Sequence, residues 1–162
     1  MSPPLPAGFE LHTFAALDVR TLYELLALRQ RVFIVEQRCL FLDADGQDER
    51  ALHLLHRDGA GVIDAYARLF LPSRELPHAR FGRVVTAPEV RGQRLGHRLV
   101  DVALLVLDAL ASGHEVHISA QAHLDAWYSK HGFVAVGDLY LEDDIPHLHM
   151  VRSQDPNASS SG

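Results

Sequence analysis

The stretch from Arg80 to Leu110, "RFGRVVTAPEVRGQRLGHRLVDVALLVLDAL", constrains the fold more than any other part of the chain. Its first part, "RFGRVVTA", reads as a β-strand, and Pro88 stops it because proline cannot donate to a sheet ladder. Leu95, Leu99, Val102, Val106 and Leu110 then recur at helical spacing, marking a long amphipathic helix that Gly113 ends. Between strand and helix lie Gly92 and Gly96, set among Arg91 and Arg94. Glycine weakens a helix, so two at its entrance imply that the backbone must come close to something. Strand, turn and helix N-terminus in that order can bind phosphate on backbone N–H groups. Arg91 and Arg94 would add charge-assisted bonds, and Arg98 follows one turn further along the same side as Arg94. Neither a Walker pattern nor a Rossmann G-x-G-x-x-G is present. The residues alone leave two readings open, an anion-binding turn and a plain helix entrance with a solvated arginine face.

The flanking segments alternate strand and helix. Asp18 or Thr21 can cap a first helix, with Thr21 and Glu24 at capping-box spacing. Leu22, Leu25, Leu26 and Phe33 continue it, and "VFIVEQ" is its end or a short extended piece. "ALHLLHR", the turn "DGAG" and "VIDAYARLFL" read as an antiparallel hairpin. After the long helix, "EVHISA" is a strand and "LDAWYSKH" a short helix closed by Gly132. "FVAVGDLYL" and "HLHMVR" then form a final strand pair. The expected fold is α+β, a mixed sheet flanked by helices in a single domain over residues 9–152. Residues 1–8 and 153–162 are expected to be flexible ends, because "SPPLP" and "SQDPNASSSG" have nothing to bury.

Composition excludes several function classes. The chain has 162 residues, enough for one real core, with 48% hydrophobic and 22% charged residues. A formal charge of -6 argues against nucleic acid as a partner, which calls for a basic face. One cysteine, Cys39, excludes an internal disulfide framework and a multi-thiolate zinc site. With no apolar run of membrane-spanning length and no leader-like start, the expectation is a cytoplasmic protein without a membrane partner, a monomer or homodimer.

Two blocks carry a family resemblance. "VRGQRLG" resembles the Q/R-x-x-G-x-G/A signature of the GNAT superfamily of CoA-dependent N-acyltransferases, with Arg91 first, Gly96 last and Arg94 in place of the middle glycine. "AQAHLDAWYSKHGF" resembles the GNAT segment ending in Y-x-x-x-G-F, matched by Tyr128, Gly132 and Phe133, with Gln121 where many members have asparagine. "LRQRVFIVEQRCLFLDADGQD", "GRVVTAPEVRG" and "EDDIPHLHM" resemble the ElaA-like subgroup, so the likeness spans essentially the whole domain. It implies an N-acetyltransferase that moves an acetyl group from acetyl-CoA, as cosubstrate, to a primary amine on a small molecule or peptide by direct attack in a ternary complex. It also admits a non-catalytic acyl-CoA-binding or regulatory module on the same fold.

The resemblance also implies roles. The backbone of Gly92, Gln93, Arg94, Leu95, Gly96 and His97, with Arg91, would hold the diphosphate, while Val84, Val85 and Thr86 would bond the pantetheine arm. Gln121 belongs to the same cofactor set, and the Val85 backbone N–H is the expected oxyanion donor. Tyr128 matches the family tyrosine that protonates the leaving thiolate. A phenol with a pKa of about 10 stays protonated where a thiol of about 8.5 ionises. Without the resemblance Tyr128 reads as a core residue beside Trp127. Glu36 is the first candidate for the catalytic base and an acceptor-site residue, or else a surface or capping carboxylate. His53, His123 and His147 are further acceptor-site candidates, each alternatively a structural hydrogen-bonder, and ordered water could replace a direct base.

No metal is expected. "DADGQD" fails the EF-hand test, because counting from Asp43 the sixth position is Asp48 and the twelfth Leu54. Eleven histidines include no H-E-x-x-H pair; His147 and His149 would share a strand face, a weak signal. Cys39 is expected buried and inert. The acidic groups Asp43, Asp45, Asp48, Glu49 and Glu142, Asp143, Asp144 are expected either as solvated loops or, in the GNAT arrangement, as flanks of the groove that attract a cationic amine.

Overall fold

A computed structural model describes residues 2–154. One eight-stranded sheet carries β1 (Phe9–Thr13), β2 (Leu52–Arg57), β3 (Ile63–Phe70), β4 (Ala79–Thr86), β5 (Val116–Gln121), β6 (Val134–Ala135), β7 (Tyr140–Glu142) and β8 (Ile145–Arg152). Its order is β1-β2-β3-β4-β5-β8-β6, with β7 pairing on β8 as well. Among the described residues only β4 and β5 run parallel. The connection between them is α2 (Leu95–Leu110), the long helix expected from the sequence.

Two cores lie on opposite faces of the sheet. Leu95, Leu99, Val102, Ala103 and Val106 of α2 pack on Leu54, Ala65, Ala67, Leu69 and Phe81. On the other face, α1 (Val19–Arg29) sets Leu25 and Leu28 against Leu55, Tyr66 and Val85. With a helix on each side, β3 is buried along its whole length, including Asp64 and Arg68. Asp18 caps α1, accepting from the Thr21 amide at 2.8 Å.

The structure adds one strand, decides between two alternatives and corrects one expectation. β1 was not expected; it pairs antiparallel with β2 and sets Phe9 into the core. "VFIVEQ" takes the first of its two expected forms, the end of the helix, which continues as a wider π-turn over Gln30–Glu36. "FVAVGDLYL" is not one strand: Gly137, at φ 81°, separates β6, opposite Met150 and Val151, from β7, opposite Ile145 to His147.

Within the N-terminal segment, Leu5 packs against the main core and the Gly8 carbonyl accepts from the Arg57 amide. Residues 155–162 of the expected C-terminal tail lie outside the described residues. No helix among the described residues is long and apolar enough to cross a membrane.

Candidate active site

The site begins where β4 and β5 part. Their pairing is confined to Ala79 with Val116 and Arg80 with His117, after which the strands diverge. Further along β4, Tyr66 of β3 faces Val85 but Arg68 faces Gly82, so Arg83 and Val84 together oppose Ala67. That is a β-bulge, with Arg83 at φ 50°. The extra residue reverses the side-chain alternation. Phe81 and Val84 pack on the α2 side, whereas Val85 turns to the α1 side. The diverging strands open a cleft of about 1050 Å³.

One end of the cleft is the arginine turn. Gly92 has φ 83° and Arg94 φ 61°, so both adopt the left-handed conformation before α2 starts at Leu95. For Arg94, standing where the family signature has glycine, this geometry costs about 1–2 kcal/mol. Gly96 lies against Trp127 and Thr86, where an added Cβ would meet ordinary van der Waals contact at 3.5 Å. Arg91, Gly92, Arg94, Leu95, Gly96 and His97 border the cleft together with Val84, Val85, Thr86 and Gln121. Gln93 shares the turn, but its exposed side chain does not line the cleft. Arg98 does not join it either, since its guanidinium lies 5.7 Å from the Phe9 ring centre. His97 stacks on Trp127 and its Nδ1 lies 2.9 Å from His131 Nε2, while His131 Nδ1 donates to Asp101. Burial, then the nearby His131 and Arg94 charges, hold His97 below the ordinary imidazole range.

Tyr128 stands on the α2 side, in α3 (Asp125–Ser129). Its ring is buried among Trp127, Phe81 and Phe133 and also borders the cleft. Its hydroxyl has no hydrogen-bond partner among the described residues, and burial pushes its pKa up to about 12.

Glu36 reaches the cleft from the end of the π-turn, and the Arg91 guanidinium donates to its carboxylate at 2.6 Å. Thus two residues with separately expected roles meet in one ion pair. Of the expected acceptor-site histidines, His123 is exposed at the rim and His147 lines the wall. His147 Nδ1 donates to the Ile145 carbonyl and Nε2 faces Glu142 at 3.2 Å.

His53 is not part of the cleft. It is fully buried, with Nε2 donating to the Asp48 carbonyl and Nδ1 accepting from the Tyr66 hydroxyl at 2.7 Å. Burial holds it below the ordinary imidazole range, so it serves as a structural hydrogen-bonder. Cys39, expected buried, is half-buried and borders the cleft.

The first acidic cluster is also reassigned. Arg29, with no exposed surface, donates to Asp43 and Asp48, and Arg68 donates to Asp45 and Asp48. Arg83 adds contacts to Asp43 and Asp45. Three guanidinium groups therefore neutralise these carboxylates and fasten the loop after α1 to the sheet. They are not free to attract an amine. Glu142 and Asp143, in contrast, border the cleft.

In one wall the sequence reading picked out Gln121, His147 and His149 but missed His117 and Ser119. His117, Ser119 and Gln121 alternate on β5 while Val116, Ile118 and Ala120 enter the core. Across the ladder Ser119 faces His149 and Gln121 faces His147. The polar alternation of "VHISAQ" beside "HLHM" was the signal: read at period two, it puts these side chains on one face.

Among the described residues no group of three or more His, Cys, Asp or Glu side chains is arranged to hold a metal ion. A family model, "Acetyltransferase (GNAT) domain", matches residues 36–153. UPF0039 protein sll0451 of Synechocystis is 40% identical over 144 residues, which span 89% of this chain and 94% of that protein. An acyl-CoA N-acyltransferase crystal structure from Pseudomonas aeruginosa is 44% identical, with a TM-score of 0.85 over 90% of this chain and 98% of that one. The crystal structure of Escherichia coli ElaA gives 34% identity and a TM-score of 0.83, again over 90% and 98%. The split sheet and the arginine turn thus belong to a GNAT acyltransferase, and the chain is a member of that superfamily's ElaA-like group.

Proposed function

We propose that the protein is a cytoplasmic N-acetyltransferase, monomeric or homodimeric, that transfers an acetyl group from acetyl-CoA to a primary amine within a ternary complex. The observation that carries this reading is the Tyr128 hydroxyl, unpartnered within the protein at the cleft between the diverging strands. The domain would span residues 9–152.

In this reading the turn from Arg91 to His97 receives the diphosphate on backbone N–H groups and arginine charge. Val84, Val85 and Thr86, freed from β5 by the split, present backbone groups to the pantetheine arm, with Gln121 on the facing strand. The bulge re-aims this segment, and the Val85 N–H is the oxyanion donor. Holding thioester and amine in one cleft supplies much of the rate. Tyr128 donates to the sulfur as the C–S bond breaks. The burial that disfavours tyrosinate disfavours thiolate as well, so the match between donor and leaving group survives a raised phenol pKa.

Glu142 and Asp143 at the cleft favour a cationic acceptor, either a small molecule or a peptide amine. The formal charge of -6 argues against nucleic acid as the acceptor. A non-catalytic acyl-CoA-binding or regulatory module is the second reading, favoured by the strained Arg94 in the signature turn and by Arg91 being tied to Glu36. Thiol release from acetyl-CoA across a library of amines separates them. Amine-dependent release supports transfer, whereas tight CoA binding without release supports the module.

A further inference from the structure

The wall formed by β5 and β8 holds a second hydrogen-bonded chain that Tyr128 and the arginine turn do not use. Glu115, just ahead of β5, lies 2.9 Å from His117 Nε2, and His117 Nδ1 lies 3.0 Å from His149 Nε2. A carboxylate only accepts, so His117 carries its hydrogen on Nε2. In the neutral ring Nδ1 is then a lone pair, and His149 Nε2–H must donate to it. That leaves a lone pair on His149 Nδ1, which has no partner among the described residues. Each tautomer follows from the group beside it.

We propose that Glu115, His117 and His149 form a proton relay for the acceptor amine, with His149 Nδ1 as the base. The inference rests on the N-acyl transfer reading above and assigns its deprotonation step. Position supports it. His117 pairs with Arg80 at the last rung before β4 and β5 diverge, and the next residue, Phe81, contacts the Tyr128 ring from the opposite face. The imidazole pair and the phenol therefore flank the start of the split. One side suits an entering amine and the other a leaving sulfur.

His78 stacks on His117, with ring centres 3.7 Å apart. Burial, then the His117, His149 and Arg80 charges, hold it below the ordinary imidazole range. Other polar groups of this wall are Arg80 from β4, Ser119 from β5, hydrogen-bonded to the Tyr140 hydroxyl and the Glu142 carboxylate of β7, and His147 from β8. Arg80 places its guanidinium 3.8 Å from the Phe70 ring centre.

The proton balance closes without another reactant. An ammonium acceptor gives one proton to His149 Nδ1, and the neutral amine forms the C–N bond to the thioester carbon. His149 passes its Nε2 proton to His117 Nδ1, moving the imidazolium charge beside the Glu115 carboxylate. His117 then releases its Nε2 proton to water past the exposed Glu115. The C–S bond breaks, and the thiolate and the nitrogen's second proton combine through Tyr128 and solvent. Exchange with solvent restores the starting tautomers.

The test uses the whole protein, acetyl-CoA and an amine that the wild type accepts. His149→Gln keeps an N–H toward His117 but has no basic nitrogen, and His149→Asn is the second variant. Both are expected to lose about a hundredfold or more in kcat/KM for the amine at pH 7, with unchanged half-saturation by acetyl-CoA. The acidic limb of the pH profile should move up to the ionisation of the amine itself, with activity recovering at high pH where the amine arrives neutral. His117→Phe keeps the stack on His78 and should shift that limb, as should Glu115→Gln. Wild-type kcat/KM with an unchanged limb in folded His149 variants overturns the relay alone. No thiol release by wild type with any amine overturns the transfer reading and the relay with it. Imidazole ¹⁵N shifts of the wild-type protein give an independent reading if the variants fail to fold. Hydrogen on Nε2 of both rings supports the relay, whereas hydrogen on His149 Nδ1 overturns it.

Discussion

The Glu36 carboxylate accepts from the Arg91 guanidinium at 2.6 Å, joining the end of the first helical segment to the turn ahead of α2. Both side chains are well exposed, so the pair contributes little to stability. Its importance is local. A phosphate arriving at the turn competes with Glu36 for Arg91.

Glu36→Gln should therefore release Arg91 and tighten CoA binding severalfold at low salt, with the gain fading as salt screens the charge. A catalytic base would instead lose turnover and the acidic limb of its pH profile. Calorimetry with CoA and a pH–rate profile separate the two outcomes.

Tyr128→Phe preserves the packing against Phe81, Trp127 and Phe133 while removing only the hydroxyl. Because that hydroxyl has no partner among the described residues, thermal stability should hardly change. As leaving-group donor it should cost about 100-fold in kcat, with acetyl-CoA saturation unaffected. Equal kcat in the folded variant would return Tyr128 to a packing role.

Arg94→Gly should raise stability and lower affinity together. The left-handed backbone at φ 61° costs arginine about 1–2 kcal/mol that glycine does not incur, partly offset by glycine's greater unfolded freedom. A net gain of about 0.5–1 kcal/mol in denaturant unfolding should accompany weaker CoA binding from the lost charge. A variant that is less stable than wild type would contradict the strain at this position.

Arg29→Met should destabilise the fold by about 3–5 kcal/mol, because Asp43 and Asp48 would each lose one of their guanidinium partners in a buried setting. The same network sets acid sensitivity. Burial works to raise Asp45 and Asp48, but hydrogen bonds from Arg68 and Arg29 prevail and hold both below the usual carboxylate range. Their contribution is complete above the unfolded value of about 3.9 and is lost as pH falls through their folded values. His53, depressed by burial, contributes fully above its unfolded value of about 6.5 and loses that contribution as pH falls toward its folded value. Stability should thus decline in two stages, a shallow one below about pH 6.5 and a steep one below about pH 4. Urea unfolding across that range checks both, and a profile flat down to pH 3 would contradict the network's role.

Local chemistry determined much of this protein. Pro88, the glycines of the turn and the spacing from Leu95 to Leu110 are short-range signals, so strand, turn and helix were readable in order. Tyr128 and the turn residues were legible because a family motif preserves their spacing. Other features depend on which distant segments meet. The bulge at Arg83 and Val84 exists only against β3, and it decides which way Val85 faces. Asp43, Asp45 and Asp48 read as solvent-facing acids until Arg29, Arg68 and Arg83 converge on them from three separate elements. His117 and His149, far apart in sequence, become hydrogen-bonded neighbours only through the β5–β8 register. The sequence by itself determined periodicity and backbone punctuation, because these act within a few residues; tertiary structure decided pairing, charge neutralisation and imidazole tautomers, because each requires a partner brought from elsewhere in the chain.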